Sequence, residues 1–442
     1  MQFKTKIAIV VFSTLIAFYA IVGTLMSKSG HVIARGSQYS QMQVYDDVLG
    51  HIIRDYVDQP DMEKVRIGSL RGLAEGLDPY SAYLTAEQYK QYDPKAVRSE
   101  TGMILSKVLG YCYVVSVLKG SPAEQVGIRE GDFIEYISKI PSRDLSLYDI
   151  QQLLSGQSSG PADLRILHQG QSRKVSIARA KITQPALESR IEEPGIGYVR
   201  VTSMAEGKAA ELKTLVGELA SKGAQKLILD LRGSANGDIK EGVAAANLFV
   251  GSGTLAKVVG KGGKEIQSFD ADSKKVAFNA PLVVVIDRST AGAAEIIAAA
   301  VKDRKRGEVV GERTFGAGSE QQLFPLSDGG ALLITTAKYA PASGKPFMDE
   351  PVQPTHKVDR PVETELVPPA GDDEEEPSDE KTEPPPAAPP KVETPAEDVQ
   401  LRKAIEVLKQ NSAKVQALQK RAAADLRIQV PADSPFEIRV SA

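Results

Sequence analysis

Pro281-Leu282-Val283-Val284-Val285-Ile286-Asp287-Arg288-Ser289-Thr290-Ala291-Gly292-Ala293-Ala294-Glu295 passes from an unbroken apolar run, through a short polar stretch, into an alanine-rich one. Pro281–Ile286 reads as a buried strand, and Ala293–Val301 as a helix. Gly292 then falls where strand gives way to helix, the usual place for catalytic or binding groups in α/β sheets. Upstream, Ile196–Val201 reads as a strand, Ala205–Ser221 as a helix, Lys226–Asp230 as a short apolar strand and Ile239–Phe249 as a helix. Downstream, Ser327-Asp328-Gly329-Gly330 predicts a turn into a strand over Leu332–Tyr339. This alternation predicts an α/β core with a largely parallel sheet across residues 185–362.

The composition is that of a soluble globular chain: 442 residues, 42% apolar and 25% charged. A net charge of −3 implies no general attraction to nucleic acid, so none is expected as a partner. The single cysteine, Cys112, excludes an intramolecular disulfide, and its apolar surroundings read as strand filler. Residues 1–27 differ from the rest. Lys4 and Lys6 precede Ile7–Met26, a charge-free run long enough to span a bilayer. No A-x-A-like cleavage site follows. The expectation is a membrane anchor with the bulk exported, in a periplasmic or other extracytoplasmic setting of a bacterial envelope. A cleaved signal peptide is the alternative.

Residues 40–97 read as helical, with Val44, Val48, Ile52 and Tyr56 on one apolar face and Leu70, Leu73 and Leu77 continuing the theme. Asp78-Pro79 then forces a turn. Residues 363–395 are acidic and proline-rich, a disordered or polyproline linker. Thr394-Pro395-Ala396-Glu397 predicts a helix start, with the helix over 396–427 and a tail over 428–442. Leu401, Ile405, Leu408, Val415, Leu418 and Ala422 make one stripe, which either docks on the core or pairs with another helix.

Several of these segments, in order, resemble the carboxyl-terminal processing, or tail-specific, serine proteases. Leu77-Asp78-Pro79-Tyr80-Ser81-Ala82-Tyr83-Leu84 resembles the family signature upstream of its PDZ domain. Gly120-Ser121-Pro122-Ala123, Gly127-Ile128 and Gly131-Asp132-Phe133-Ile134 match the PDZ pattern within residues 98–182. Asp398–Leu408 resembles the family's C-terminal helix, which favours docking. The resemblance implies a protease-like α/β core with an inserted PDZ domain, an N-terminal helical segment and a C-terminal helix. It also implies that Gly102, Met103, Ile104 and Leu105 stand at the loop that captures a peptide carboxylate. Ile104 replaces a glycine there, and its N–H remains.

The departures fall on the catalytic positions. The family nucleophile position is Gly292, and its general-base lysine position is Ala317, with Gln321 following. In Asp230-Leu231-Arg232-Gly233-Ser234-Ala235-Asn236-Gly237, Asn236 replaces the first glycine of the oxyanion pair, and Gly237 survives. Glycine cannot attack a carbonyl, and alanine cannot accept a proton. The chain therefore reads as a membrane-anchored pseudoprotease that binds unfolded or C-terminal peptide segments, or an active homologue. The rival reading is a working serine endopeptidase whose nucleophile has moved, with Ser289 or Ser319 as candidates. A hidden Ser-His-Asp arrangement would have to use His356, which reads as a surface-loop residue. Neither reading calls for a cofactor or a metal.

Overall fold

The computed structural model describes residues 38–93, 100–155, 160–360 and 397–410. The expectations for residues 1–27, for the linker, for the Thr394–Glu397 cap and for the helix beyond residue 410 lie outside them. Among the described residues no helix is long and apolar enough to cross a membrane.

Two compact units divide between Leu70 and Arg71. The first contains α1 (Gln38–Asp55) and most of α2 (Met62–Glu75). Residues 40–97 are thus not continuously helical. In the second unit, Asp78 turns the chain by accepting the N–H groups of Tyr80 at 2.8 Å and Ser81 at 3.0 Å. The next residues form β1 (Ala82–Leu84), and α3 (Ala86–Lys90) follows behind a Thr85 capping box. All three β1 residues are buried, so burial and strand pairing overrode the local helical pattern.

Part of the second unit is an antiparallel sheet, β2 (Met103–Val108), β3 (Tyr111–Val117), β4 (Phe133–Ile137), β5 (Ile140–Pro141), β6 (Ala162–His168) and β7 (Gln171–Ile177). Its order is β2-β3-β4-β6-β7, so β2 is an edge. The helix α4 (Leu147–Leu154) starts at Ser146 and closes a separate core around Cys112, Ile134, Ile150 and Ile166.

The remaining elements are β8 (Glu188–Glu193), β9 (Ile196–Arg200), α5 (Lys208–Ser221), β10 (Lys226–Asp230), α6 (Ile239–Asn247), β11 (Thr254–Val259), β12 (Glu265–Asp270), β13 (Leu282–Ile286), α7 (Ala293–Asp303), β14 (Glu308–Gly311), β15 (Ser319–Pro325), β16 (Ala331–Ala340) and β17 (His356–Lys357). Helix α8 covers residues 399–410. One sheet runs β17-β14-β13-β10-β9-β8 and is parallel except for β8. The second, antiparallel, runs β1-β16-β11-β12, with β15 also on β16.

Strand alternation divides the parallel sheet's two faces. Leu227, Leu229, Leu282, Val284 and Ile286 join the main core with residues of α5, α6 and α7. Ile228, Val283, Val285 and Tyr198 face the other way, where Ala404, Val407 and Leu408 of α8 cover them. The described part of the C-terminal stripe therefore docks. Arg232 bolts it down, donating to Asp398 at 2.7 and 2.9 Å and to the buried Asp230 at 2.6 Å.

Candidate active-site cleft

The parallel strands β10 and β13 end side by side, and the two loops that leave them are bonded to each other. The N–H of Ala291 donates to Ser234 O at 2.8 Å. The fully buried Asp287 accepts from Gly233 N at 3.2 Å and Ser289 N at 2.9 Å. Phe315, on the loop between β14 and β15, donates its N–H to Thr290 O at 2.9 Å. Three loops thus meet at the carboxyl ends of parallel strands.

Glu295 fastens them. It lies in the first turn of α7 and is fully buried. One carboxyl oxygen accepts from Gly292 N at 2.9 Å and Ala317 N at 2.8 Å. The other accepts from Gly316 N at 3.1 Å and from the Thr314 hydroxyl. Burial pushes this carboxyl up to about 7, against the four donors that favour its charged form. Burial likewise pushes Asp287 up to about 6, opposed first by the Arg360 guanidinium.

Gly292 has φ 59° and ψ −116°, a backbone region that strains any residue with a side chain. A Cβ built there meets nothing within 4 Å. The position has room for a side chain and holds the conformation of a sharp strand-to-helix elbow. Gly237 differs: with φ +107°, its Cβ would lie 2.0 Å from Met204 O, so only glycine fits. The Asn236 side chain is engaged elsewhere, accepting from Met204 N at 3.2 Å and donating to Gln184 at 3.0 Å.

Gly292, Ala317, Gln321 and Gly237 all line one cleft of about 680 Å³. Met103, Ile104 and Leu105 line it too, from β2, with Tyr148, Gln151 and Leu154 of α4. These three β2 residues lie in a strand rather than in a loop. The turn is made by Gly102, whose φ is +83° and whose Cβ would lie 2.1 Å from the Ser121 Cβ. β2 is a sheet edge open to an added strand, and its residues line the same cleft as Gly292. Neither Asn236 nor Gly102 lines the cleft itself.

Among the described residues, no lysine or histidine lines the cleft. Ser319 does line it, but its oxygen accepts the Gln321 amide at 2.8 Å, which is the reverse of activation by a base. Ser289 is buried and does not line the cleft. Cys112 is buried in the β2–β7 sheet core, where desolvation pushes its thiol up to about 12. His356 lies in strand β17 rather than in a loop, 3.4 Å from Glu308, because a parallel edge pairing captures it.

Sequence reasoning used Glu295 only as a landmark and missed its role as a tie. It also missed the contacts that set the β2–β7 sheet against the cleft. The Tyr113 ring stacks on Phe315 at 5.9 Å, and the Ser116 hydroxyl donates to Gly233 O. Arg360 reaches both Glu130 and Asp287. Such pairs lie too far apart in sequence for a local pattern to reveal them.

Residues 195–358 match the family model described as peptidase family S41, and residues 113–167 match that of the PDZ domain. The chain is similar to carboxy-terminal processing protease CtpA of Bacillus subtilis (strain 168), with 31% identity over 318 residues, 71% of this chain and 68% of that protein. It is 28% identical over 362 residues to a carboxy-terminal-processing protease of Bartonella bacilliformis, covering 78% of this chain and 82% of that one. The structure of a photosystem II D1 C-terminal processing protease superposes with a TM-score of 0.61 at 26% identity, covering 73% of this chain and 87% of that chain.

Proposed function

This chain belongs to the carboxy-terminal processing proteases of peptidase family S41, and we propose that it is an inactive member that binds the C-terminal segments of other proteins without cutting them. One observation carries the reading. Among the described residues, the cleft that holds Gly292 and Ala317 offers no lysine or histidine to activate a hydroxyl. Of the two candidate nucleophiles from the sequence, Ser319 lines the cleft and is occupied as an acceptor. Binding has separate support. The β2 edge and the α4 side chains line a cleft suited to strand addition by an extended peptide, with the Gly102 turn just before β2 to meet its carboxylate.

The occupant is an unfolded or C-terminal peptide segment, and an active homologue is a second candidate partner. The charge-free Ile7–Met26 run supports an anchor that leaves the bulk on the extracytoplasmic side of a bacterial membrane. The test is to incubate the purified chain with an unfolded protein and a fluorophosphonate probe for activated serines. Intact substrate and no labelling are expected. Labelling at Ser289 or Ser319, with cleavage, overturns the proposal in favour of an endopeptidase with a relocated nucleophile.

A further inference from the structure

A second cavity, of about 620 Å³, lies at the other end of α7 from the Gly292 elbow. Ala299, Lys302 and Arg304 line it from the end of α7, and Pro341, Lys345 and Phe347 from the loop that follows β16. We infer that this cavity binds an acidic peptide segment and that its occupancy steadies the Ala317 side of the cleft. Lys345 pairs with Glu350 at 3.0 Å, which leaves two lining cations, Lys302 and Arg304, against one lining carboxyl, Asp303. Neither cation has an ion pair among the described residues. Arg304 donates twice to Thr254 O, at 3.1 and 2.7 Å, which fixes the guanidinium and leaves its charge uncompensated. Positive charge continues beside the cavity. Lys305 follows, and Arg306 donates to the carbonyls of Phe249, Phe278 and Ala280, fixing the loop that carries Lys274 and Lys275 to the same end of the sheet. Among the described residues these three lysines have no ion pair either. A cavity of this volume suits a ligand of several residues better than one small anion. The apolar Ala299, Pro341 and Pro351 give such a chain contact that an ion cannot use.

The cavity wall is also the backing of the cleft. Val352, which lines the cavity, donates its N–H to the Thr314 hydroxyl at 2.9 Å and accepts the Thr314 N–H at 3.0 Å. That hydroxyl in turn donates to Glu295, the carboxyl that holds Gly292 and Ala317. Pro351 packs on Gly316, whose Cβ would lie 2.7 Å from it. Phe347 donates its N–H to Tyr339 O at 3.0 Å, and Tyr339 lines the cleft. A ligand that holds residues 341–353 therefore holds the loop that carries Ala317.

The probe is an acetylated, amidated pentaglutamate peptide added to the full-length chain, with pentaglutamine as its neutral twin. Amidation removes the end carboxylate that the β2 edge would capture, so the outcome is independent of that reading. Pentaglutamate is expected to bind at least about tenfold more tightly than pentaglutamine, and Lys302→Gln to lose about tenfold of that affinity. Lys213→Gln, exposed on α5, should bind as the unmodified chain does. Saturating pentaglutamate should slow amide exchange at residues 314–317 by about threefold or more. The chain's own acidic run, residues 372–376, is one source of such a segment, and another protein is the second. Exchanging the Asp and Glu residues of that run for Asn and Gln separates the two. Tighter probe binding assigns the site to the run, and unchanged binding assigns it to a partner. Equal affinity for the two peptides, an unaffected Lys302→Gln variant, or displacement by an equal concentration of inorganic phosphate overturns the site. Unchanged exchange at residues 314–317 under saturation overturns the coupling.

Discussion

The backbone N–H of Ala317 donates to the Glu295 carboxyl at 2.8 Å, and the same oxygen takes the N–H of Gly292. A single buried carboxyl therefore joins the two positions that the resemblance assigns to the family's dyad. The two loops are held together with a glycine and an alanine at these positions.

That tie has a pH signature. Burial raises the Glu295 carboxyl from its usual 4.5 to about 7. Between those values the folded chain keeps a proton that the unfolded chain has lost. The stability it contributes is full below about pH 4.5 and is lost as pH rises through about 7, to the extent of roughly 3 kcal/mol. Asp287, raised to about 6, acts in the same direction over a lower window. Urea midpoints should fall as pH rises from about 5 to 7. In Glu295→Gln that fall should shrink, and an unchanged slope would count against Glu295 as its source.

Two glycines in the cleft should respond differently to substitution. Gly292→Ala meets no atom, so only backbone strain opposes it, about 1–3 kcal/mol. Gly237→Ala drives a methyl to 2.0 Å from Met204 O and must displace a loop. Thermal melts should show the second variant far less stable than the first. Equal losses would mean that the elbow at Gly292 is not open.

Arg232 is the bolt of the C-terminal helix. Its partner Asp230 is completely buried, and the arginine holds that carboxyl below its usual range even against desolvation. Arg232→Ala leaves Asp230 uncompensated and should cost about 3–5 kcal/mol in denaturant titrations. Asp398→Ala keeps the inner pair and should cost much less, while raising amide exchange over residues 399–410. Because Asp398 is also held low, the helix contact is present at neutral pH and weakens as pH falls through the carboxylate range. Similar losses from both variants would refute this division of roles.

How much of this was legible in the sequence follows from the range of the forces involved. The β10, β13 and α7 boundaries could be read to within a residue or two, because a parallel strand buried on both faces is continuously apolar. Motif order singled out Gly292 and Ala317, and the structure brings the two into one cleft. Strand β1 was not, since Ala82–Leu84 becomes a strand only by pairing with Ala331–Leu333, about 250 residues away. Periodicity marked Val44, Val48 and Tyr56 as part of one apolar face, and all three are exposed, because periodicity reports amphipathicity and not what covers it.

Peptide capture should depend on the terminal carboxylate. A free carboxylate gains the N–H groups at the Gly102 turn, and an amide does not. Amidating the C-terminus of a binding peptide should weaken it about tenfold or more, as read by fluorescence anisotropy. Gly102→Ala should abolish the preference, since its methyl would lie 2.1 Å from the Ser121 Cβ. Equal affinity for the two peptides rules out end capture.

Installing a serine and a lysine at these two positions is the sharpest test of the cleft. Gly292→Ser places an oxygen in space that is now empty, and Ala317→Lys places an amine on the loop that Glu295 holds beside it. The serine supplies the attacking oxygen and the lysine takes its proton, so the pair acts as a unit. The double variant should cleave an unfolded protein slowly, and each single variant should not cleave at all. The rate should stay low, because Asn236 stands where the resemblance places a glycine of the oxyanion pair. A misplaced oxyanion donor costs on the order of 3 kcal/mol, about a hundredfold in rate. Asn236→Gly added to the double variant should recover part of that factor. Cleavage by either single variant, at a rate near that of the double, would show that the two positions do not work together and that another group in the cleft supplies the chemistry.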